Sequence, residues 1–172
     1  MRKSAFYEKY RITDAKPIDI AKRPLLAKDF ADSVTDFLTE NFRGLCRVRH
    51  NIPDVLLYIH VSEDMAAYFI KLMLAYVNGE RMLDINITNI DEDLVMTITS
   101  DGDLPYDFTD ANHLIRIAKN AGFDIIINDE QLMLKAHLTL SAALRVYATS
   151  RLTMRGKLNE IFYTGGAIVG KG

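Results

Sequence analysis

Residues 55–79 read VLLYIHVSEDMAAYFIKLMLAYVNG, and inside them the apolar period changes from that of a strand to that of a helix. Val55, Leu57, Ile59 and Val61 point to one side of an extended chain, and Leu56, Tyr58 and His60 to the other. This predicts a strand partly covered on both faces. Ser62 is placed to cap a following helix, and Glu63 and Asp64 suit the positive end of its dipole. The helix is expected to run to about Asn78, where Gly79 can stop it. It is apolar nearly all round, so it should be the most buried helix of the molecule.

Outward from this stretch the chain alternates helices and strands. Upstream, Phe30, Val34, Phe37, Leu38, Phe42 and Leu45 form one stripe, predicting a helix over 29–46, and Pro53 marks a loop. Residues 1–28, punctuated by Pro17 and Pro24, read as an irregular or short-helical arm. Downstream, Leu83, Ile85 and Ile87 alternate with polar residues, as do Leu94, Met96 and Ile98, with a hairpin turn at Asp91 to Asp93. Asp110 can cap a helix over 111–121, which Gly122 ends. Residues 124–128 and 132–140 read as two further strands. The order helix, strand, helix, strand, strand, helix, strand, strand predicts an α+β two-layer sandwich. Its helices lie on one face of a mixed, mostly antiparallel sheet. Residues 55–128 alone also fit the ferredoxin-like order βαββαβ of small-molecule sensor domains. In that case the strand at 83–88 would be an edge, and the strand at 55–61 would pair with that at 94–99. The division expected is an arm over 1–28, a domain over 29–140, and a C-terminal helix or strand pair with a flexible tail over 141–172.

With 49% hydrophobic and 26% charged residues in 172, the composition is globular and excludes collagenous or disordered chains. The single cysteine, Cys46, excludes an internal disulfide and a cysteine-only metal site. The longest nearly apolar run, 65–77, contains Lys71 and is too short to cross a bilayer. No signal-peptide core stands in residues 1–30, so a cytoplasmic location is expected. Charge is uneven: residues 1–50 hold 11 Lys and Arg against 7 acids, 51–140 hold 5 against 15, and 141–172 hold 5 against 1. An acidic body of net −10 between basic ends of +4 each opposes nucleic-acid binding.

Residues 23–140 resemble the ATP-binding domain of sensor histidine kinases, the Bergerat-type fold. The resemblance rests on element order, on Ile70-Lys71-Leu72-Met73-Leu74-Ala75-Tyr76 as the family's Asn-bearing helix, and on Thr97-Ile98-Thr99-Ser100-Asp101-Gly102 as a worn Asp-x-Gly-x-Gly box. It rests also on the helix from Leu114 to Phe123, which leads into the last strands. By this resemblance the two Asn positions fall on Lys71 and Ala75, neither of which offers the oxygen a hard cation needs. Asn78 can substitute only after a change of register. The adenine-reading Asp falls on Ser100, followed by Gly102, or in a shifted register on Asp101, followed by Asp103. The lid region has no second glycine and no cation, but carries Asp101, Asp103, Asp107 and Asp110, which disfavours a polyphosphate. The His-Glu-x-x-x-Pro setting of a phosphoacceptor is absent.

The resemblance therefore implies a degenerate histidine-kinase-like module of signal transduction, of the two-component kind, acting through a protein partner. ATP hydrolysis is not expected, no catalytic or metal-binding residue is named, and the balance is against an enzyme. The alternatives are an ATP-binding protein or kinase-related ATPase using Asn78, Ser100, Asp101 and Gly102 with Mg-ATP, and a ferredoxin-like sensor. No nucleic acid and no membrane is expected as partner.

Other features weigh as ordinary surface or core. The aspartates of 101–110 lack a calcium loop's spacing and terminal Glu. Gly165-Gly166-Ala167-Ile168-Val169-Gly170-Lys171 has the letters of a phosphate loop, but Gly172 follows where Ser or Thr is required. His50, His60, His113 and His137 lack ligand-spaced partners; His60 and His137 would be neighbours only if their strands pair. Residues 141–163 are expected to be helical, burying Leu144, Tyr147, Met154, Leu158 and Ile161 on the sheet face opposite the helices. Leu56, Tyr58, Val95 and Met133 would make that face apolar. The tail's cations would meet the acidic body, within one chain or exchanged in a homodimer.

Overall fold

The computed structural model describes residues 20–76, 82–100, 108–128, 130–140 and 154–164. In chain order the elements are β1 (Arg23–Leu26), α1 (Ala27–Asn41), β2 (Cys46–His50), β3 (Tyr58–Val61), α2 (Glu63–Tyr76), β4 (Leu83–Ile90), β5 (Asp93–Ser100), α3 (Phe108–Ala121), β6 (Asp124–Ile127) and β7 (Gln131–His137). The helix α4 (Met154–Asn159) runs into a π-helical turn over Glu160–Thr164.

Five strands form one sheet in the order β2-β4-β5-β7-β6, with β2 parallel to β4 and the other pairs antiparallel. Inward residues Leu83, Ile85, Ile87, Met96, Ile98, Leu132 and Leu134 are buried beneath the helices, as their alternation predicts. The β4–β5 hairpin closes on Ile90 opposite Asp93, leaving two turn residues; Asp91 takes the left-handed conformation (φ 55°), which a short polar side chain tolerates. Asn128 shapes the β6–β7 turn by accepting the amides of Glu130 and Gln131 on its side-chain oxygen, each at 2.9 Å.

The ferredoxin-like alternative is excluded by this pairing. β4 lies inside the sheet between β2 and β5, and β3 pairs antiparallel with β1 in a separate two-stranded ribbon. That ribbon joins the main sheet by a bridge between Tyr58 and Thr139. It is also fastened to the helical layer, where the Ser62 amide donates to the Ala121 carbonyl at 2.8 Å. Gly122 has φ +110°, and a Cβ there would stand 2.7 Å from the His60 carbonyl oxygen, so this close approach requires glycine.

Four local expectations change, the first being that the strand read over 55–61 begins only at Tyr58, after a loop. The end of the stretch read as an arm forms β1, because β3 offers it a partner edge. The helix expected over 29–46 starts at Ala27 and stops at Asn41; a turn in which the Phe42 carbonyl accepts the amides of Leu45 and Cys46 leads into β2. Cys46-Arg47-Val48-Arg49-His50 alternates, but the apolar stripe running through Leu45 hides it. The third helix begins at Phe108, so Asp110 lies within its first turn and is not its cap.

The C-terminal segment is helical where described, and Met154, Leu158 and Ile161 are buried as expected, joined by Phe162. Its place is different from that expected. It packs between α1 and α2, which have little direct contact with each other, and not on the outer face of the sheet. Phe162 meets Phe37 and Phe42 at ring centroid distances of 4.9 and 5.3 Å. Apolar helix walls are the better cover for those rings than an outer sheet face bearing Arg47, Asp84, Asn86 and Thr97. Of the four residues expected to make that face apolar, Val95 is buried, Tyr58 and Met133 are half-buried, and Leu56 stands exposed in the loop before β3. Leu144 and Tyr147 lie outside the described residues.

Candidate functional site

The helix that would carry cation ligands by resemblance is α2. Ser62 caps it as predicted, its Oγ accepting the Met65 amide at 3.2 Å and its carbonyl the Ala66 amide at 2.9 Å. One line along α2 faces the C-terminal segment. Asp64 pairs with Lys157 at 3.1 Å, and seven residues on, two helical turns, Lys71 Nζ donates to the Ile161 carbonyl at 2.9 Å. Lys71 is fully buried. Ile161 lies in the last turn of its helical segment, where carbonyls lack intrahelical donors, so Lys71 caps that helix from a neighbouring one. Burial among apolar side chains lowers the Lys71 amine from 10.5 to about 7. The position matched to the family's first Asn thus holds an amine, which offers hydrogen atoms where a Mg²⁺ ligand must offer oxygen.

Further ties fasten the same segment. Arg155 pairs with Glu40 on α1, Tyr163 Oη donates to Asn41 Oδ1 at 3.1 Å, and the Met154 amide donates to Asp29 at 3.4 Å. Two tail cations, Arg155 and Lys157, therefore do meet acidic groups, although Glu40 belongs to the basic N-terminal third.

Of the nucleotide-site residues expected from sequence, Ser100 ends β5, half-buried opposite Leu83. Asn78, Asp101 and Gly102 lie outside the described residues, as do Asp103, Asp107 and residues 165–171.

The remaining candidates have structural explanations. His50 sits between two partners: Nε2 donates to Asp32 Oδ1 at 2.7 Å, and Nδ1 accepts the Ile52 amide at 3.2 Å. Both ring nitrogens are thus engaged, so neither is left for a ligand. Burial pushes the Asp32 carboxyl up, but hydrogen bonds from Lys28 and His50 outweigh it and hold the group below its ordinary value. Sequence reasoning missed this pair, because its partners lie eighteen residues apart on a helix and a strand that was not foreseen. His60 and His137 flank the antiparallel bridge between Tyr58 and Thr139, each two residues from it; His60 stands opposite Pro24 in the ribbon, and His137 lies 3.5 Å from Asp93. His113 Nδ1 accepts from Arg116 at 3.0 Å. Cys46 is buried, its thiol pushed up to about 12 by burial, and is inert. Among the described residues no three of His, Cys, Asp and Glu are grouped to hold a metal ion. No helix among them is long and apolar enough to cross a membrane.

No protein-family model matches the sequence, and no curated protein does. Solved structures do. The cytoplasmic segment of histidine kinase QseC is similar over 67% of this chain and 76% of its own, at 13% identity and a TM-score of 0.41. A histidine kinase from Burkholderia phymatum is similar over 69% and 72%, at 12% identity and 0.44. The catalytic domain of histidine kinase ThkA is similar over 67% and 96%, at 10% identity and 0.42. At such identities the likeness is one of element arrangement. The fold itself is an α+β sandwich with helices on one face of a mixed, mostly antiparallel sheet. Within that fold, the C-terminal segment wedged between α1 and α2 turns the line of α2 through Asp64 and Lys71 toward protein and away from solvent.

Proposed function

We propose that the chain is a degenerate module of the histidine-kinase-like ATPase fold that serves signalling or regulation by binding a protein partner, without hydrolysing ATP. The observation that carries this reading is Lys71. At the position matched to a cation-holding Asn stands a buried amine, already committed to the Ile161 carbonyl. Supporting it from sequence are Ser100 at the adenine-reading position and the acidic stretch from Asp101 to Asp110. A carboxylate-poor adenine site and an anionic lid both weaken nucleotide binding.

Calorimetric titration with Mg-ATP tests the proposal. No saturable binding in the micromolar range is expected. Micromolar binding would overturn it and favour the shifted-register alternative through Asn78, Ser100, Asp101 and Gly102. Asp101→Asn should then abolish the binding while leaving the melting temperature nearly unchanged.

A further inference from the structure

The open face of the sheet carries a groove of about 620 Å³, lined by residues of β2, β4 and β5. Two cross-strand rows of β2, β4 and β5 run through it. In the first, Arg47 stands beside Asp84 and Asp84 opposite Thr99. Arg47 spends its fork on Asp84, Nε to Oδ1 at 2.9 Å and Nη2 to Oδ2 at 3.1 Å, so this carboxylate is neutralised. In the second, Arg49 stands beside Asn86 and Asn86 opposite Thr97. Among the described residues, none of these three side chains has an ion pair or hydrogen bond. Arg47 and Arg49 are two residues apart on one strand and project to the same face. Asp84 compensates one of the two charges, and the other is left over.

We propose that the Arg49–Asn86–Thr97 row binds an oxyanion-bearing small molecule, with the Arg49 fork on two oxygens and the Asn86 amide and Thr97 hydroxyl on the same group. All three can donate, and the guanidinium presents its N–H groups in a plane that matches phosphate or carboxylate. The groove's volume falls in the range of about 300–1,000 Å³ typical of small-molecule sites, so it has room for more than the anionic group itself. None of the lining residues belongs to α2 or is among Asn78, Ser100, Asp101 and Gly102, so a response confined to Arg49, Asn86 and Thr97 is distinguished from nucleotide binding at those positions.

Backbone amide NMR decides the matter, with inorganic phosphate and acetate titrated separately at an ionic strength held constant with chloride. Saturable shifts at Arg49, Asn86 and Thr97 are expected, and the stronger responder of the two anions identifies the class. Arg49→Ala should weaken binding about tenfold or more, and Arg49→Lys should weaken it too because the planar fork is lost. Arg116→Ala, on the surface of α3, should leave it unchanged. Shifts no larger than those with chloride alone, or shifts that survive in Arg49→Ala, would overturn the assignment.

Discussion

Lys71 turns a sequence departure into a measurable property. Its amine loses its proton near pH 7 in the folded chain and near 10.5 when unfolded. Between those values the unfolded state binds the extra proton, so stability rises with pH across that window and this contribution is flat outside it. Cys46 acts in the opposite sense above its ordinary 9.0, since burial keeps its thiol protonated up to about 12. The clean window is therefore pH 7 to 9. There the wild-type melting temperature should rise relative to that of Lys71→Met, whose own profile should lack this slope. Parallel profiles would show that the amine is not buried. Gly122 makes a second residue-scale prediction. Gly122→Ala meets both a positive φ and the His60 carbonyl, and should destabilise by about 2–3 kcal/mol, read as a lower urea midpoint at unchanged slope.

At the scale of elements, the C-terminal segment behaves as a member of the helical layer. Met154, Leu158, Ile161 and Phe162 are buried in it, and four such side chains contribute about 6–12 kcal/mol before entropy is subtracted. That is comparable with the whole net stability of an ordinary domain. Truncation after Leu140 should therefore give a protein that is insoluble or unfolded at 25 °C by circular dichroism. A soluble, folded product with unchanged melting would show that the segment covers nothing. Phe162→Ala keeps the segment but removes the ring packed on Phe37 and Phe42, and should cost about 3–5 kcal/mol in chemical denaturation.

At the scale of the molecule, one apolar cluster takes residues from the β1–β3 ribbon, all four helices and the five-stranded sheet. No described element has a core of its own. Thermal unfolding should accordingly be a single transition with equal calorimetric and van't Hoff enthalpies, while two resolved transitions would separate the ribbon or the C-terminal segment from the rest.

Local pattern alone settled most elements of this protein. The alternation of Leu83 to Ile87, Leu94 to Ile98 and Leu132 to Leu138, the Ser62 cap and the Gly122 stop are short-range signals, carried by which residues lie two, three or four apart. They were enough for the α+β class, for helices on one sheet face, and for the absence of an Asn at Lys71. Partner choice was another matter. The pairing of β1 with β3, the place of β2 at the parallel edge, the Asp32–His50 hydrogen bond and the wedge of Met154 to Thr164 between α1 and α2 join residues far apart in the chain. No period records such contacts, because burial rewards any apolar face that closes over another. Residues 154–164 show this most plainly. Their sequence required a cover for Leu158, Ile161 and Phe162, and only the opening between two helices that hardly touch each other, with Phe37 and Phe42 against the Phe162 ring and the Lys71 amine on the Ile161 carbonyl, decided which cover it would be.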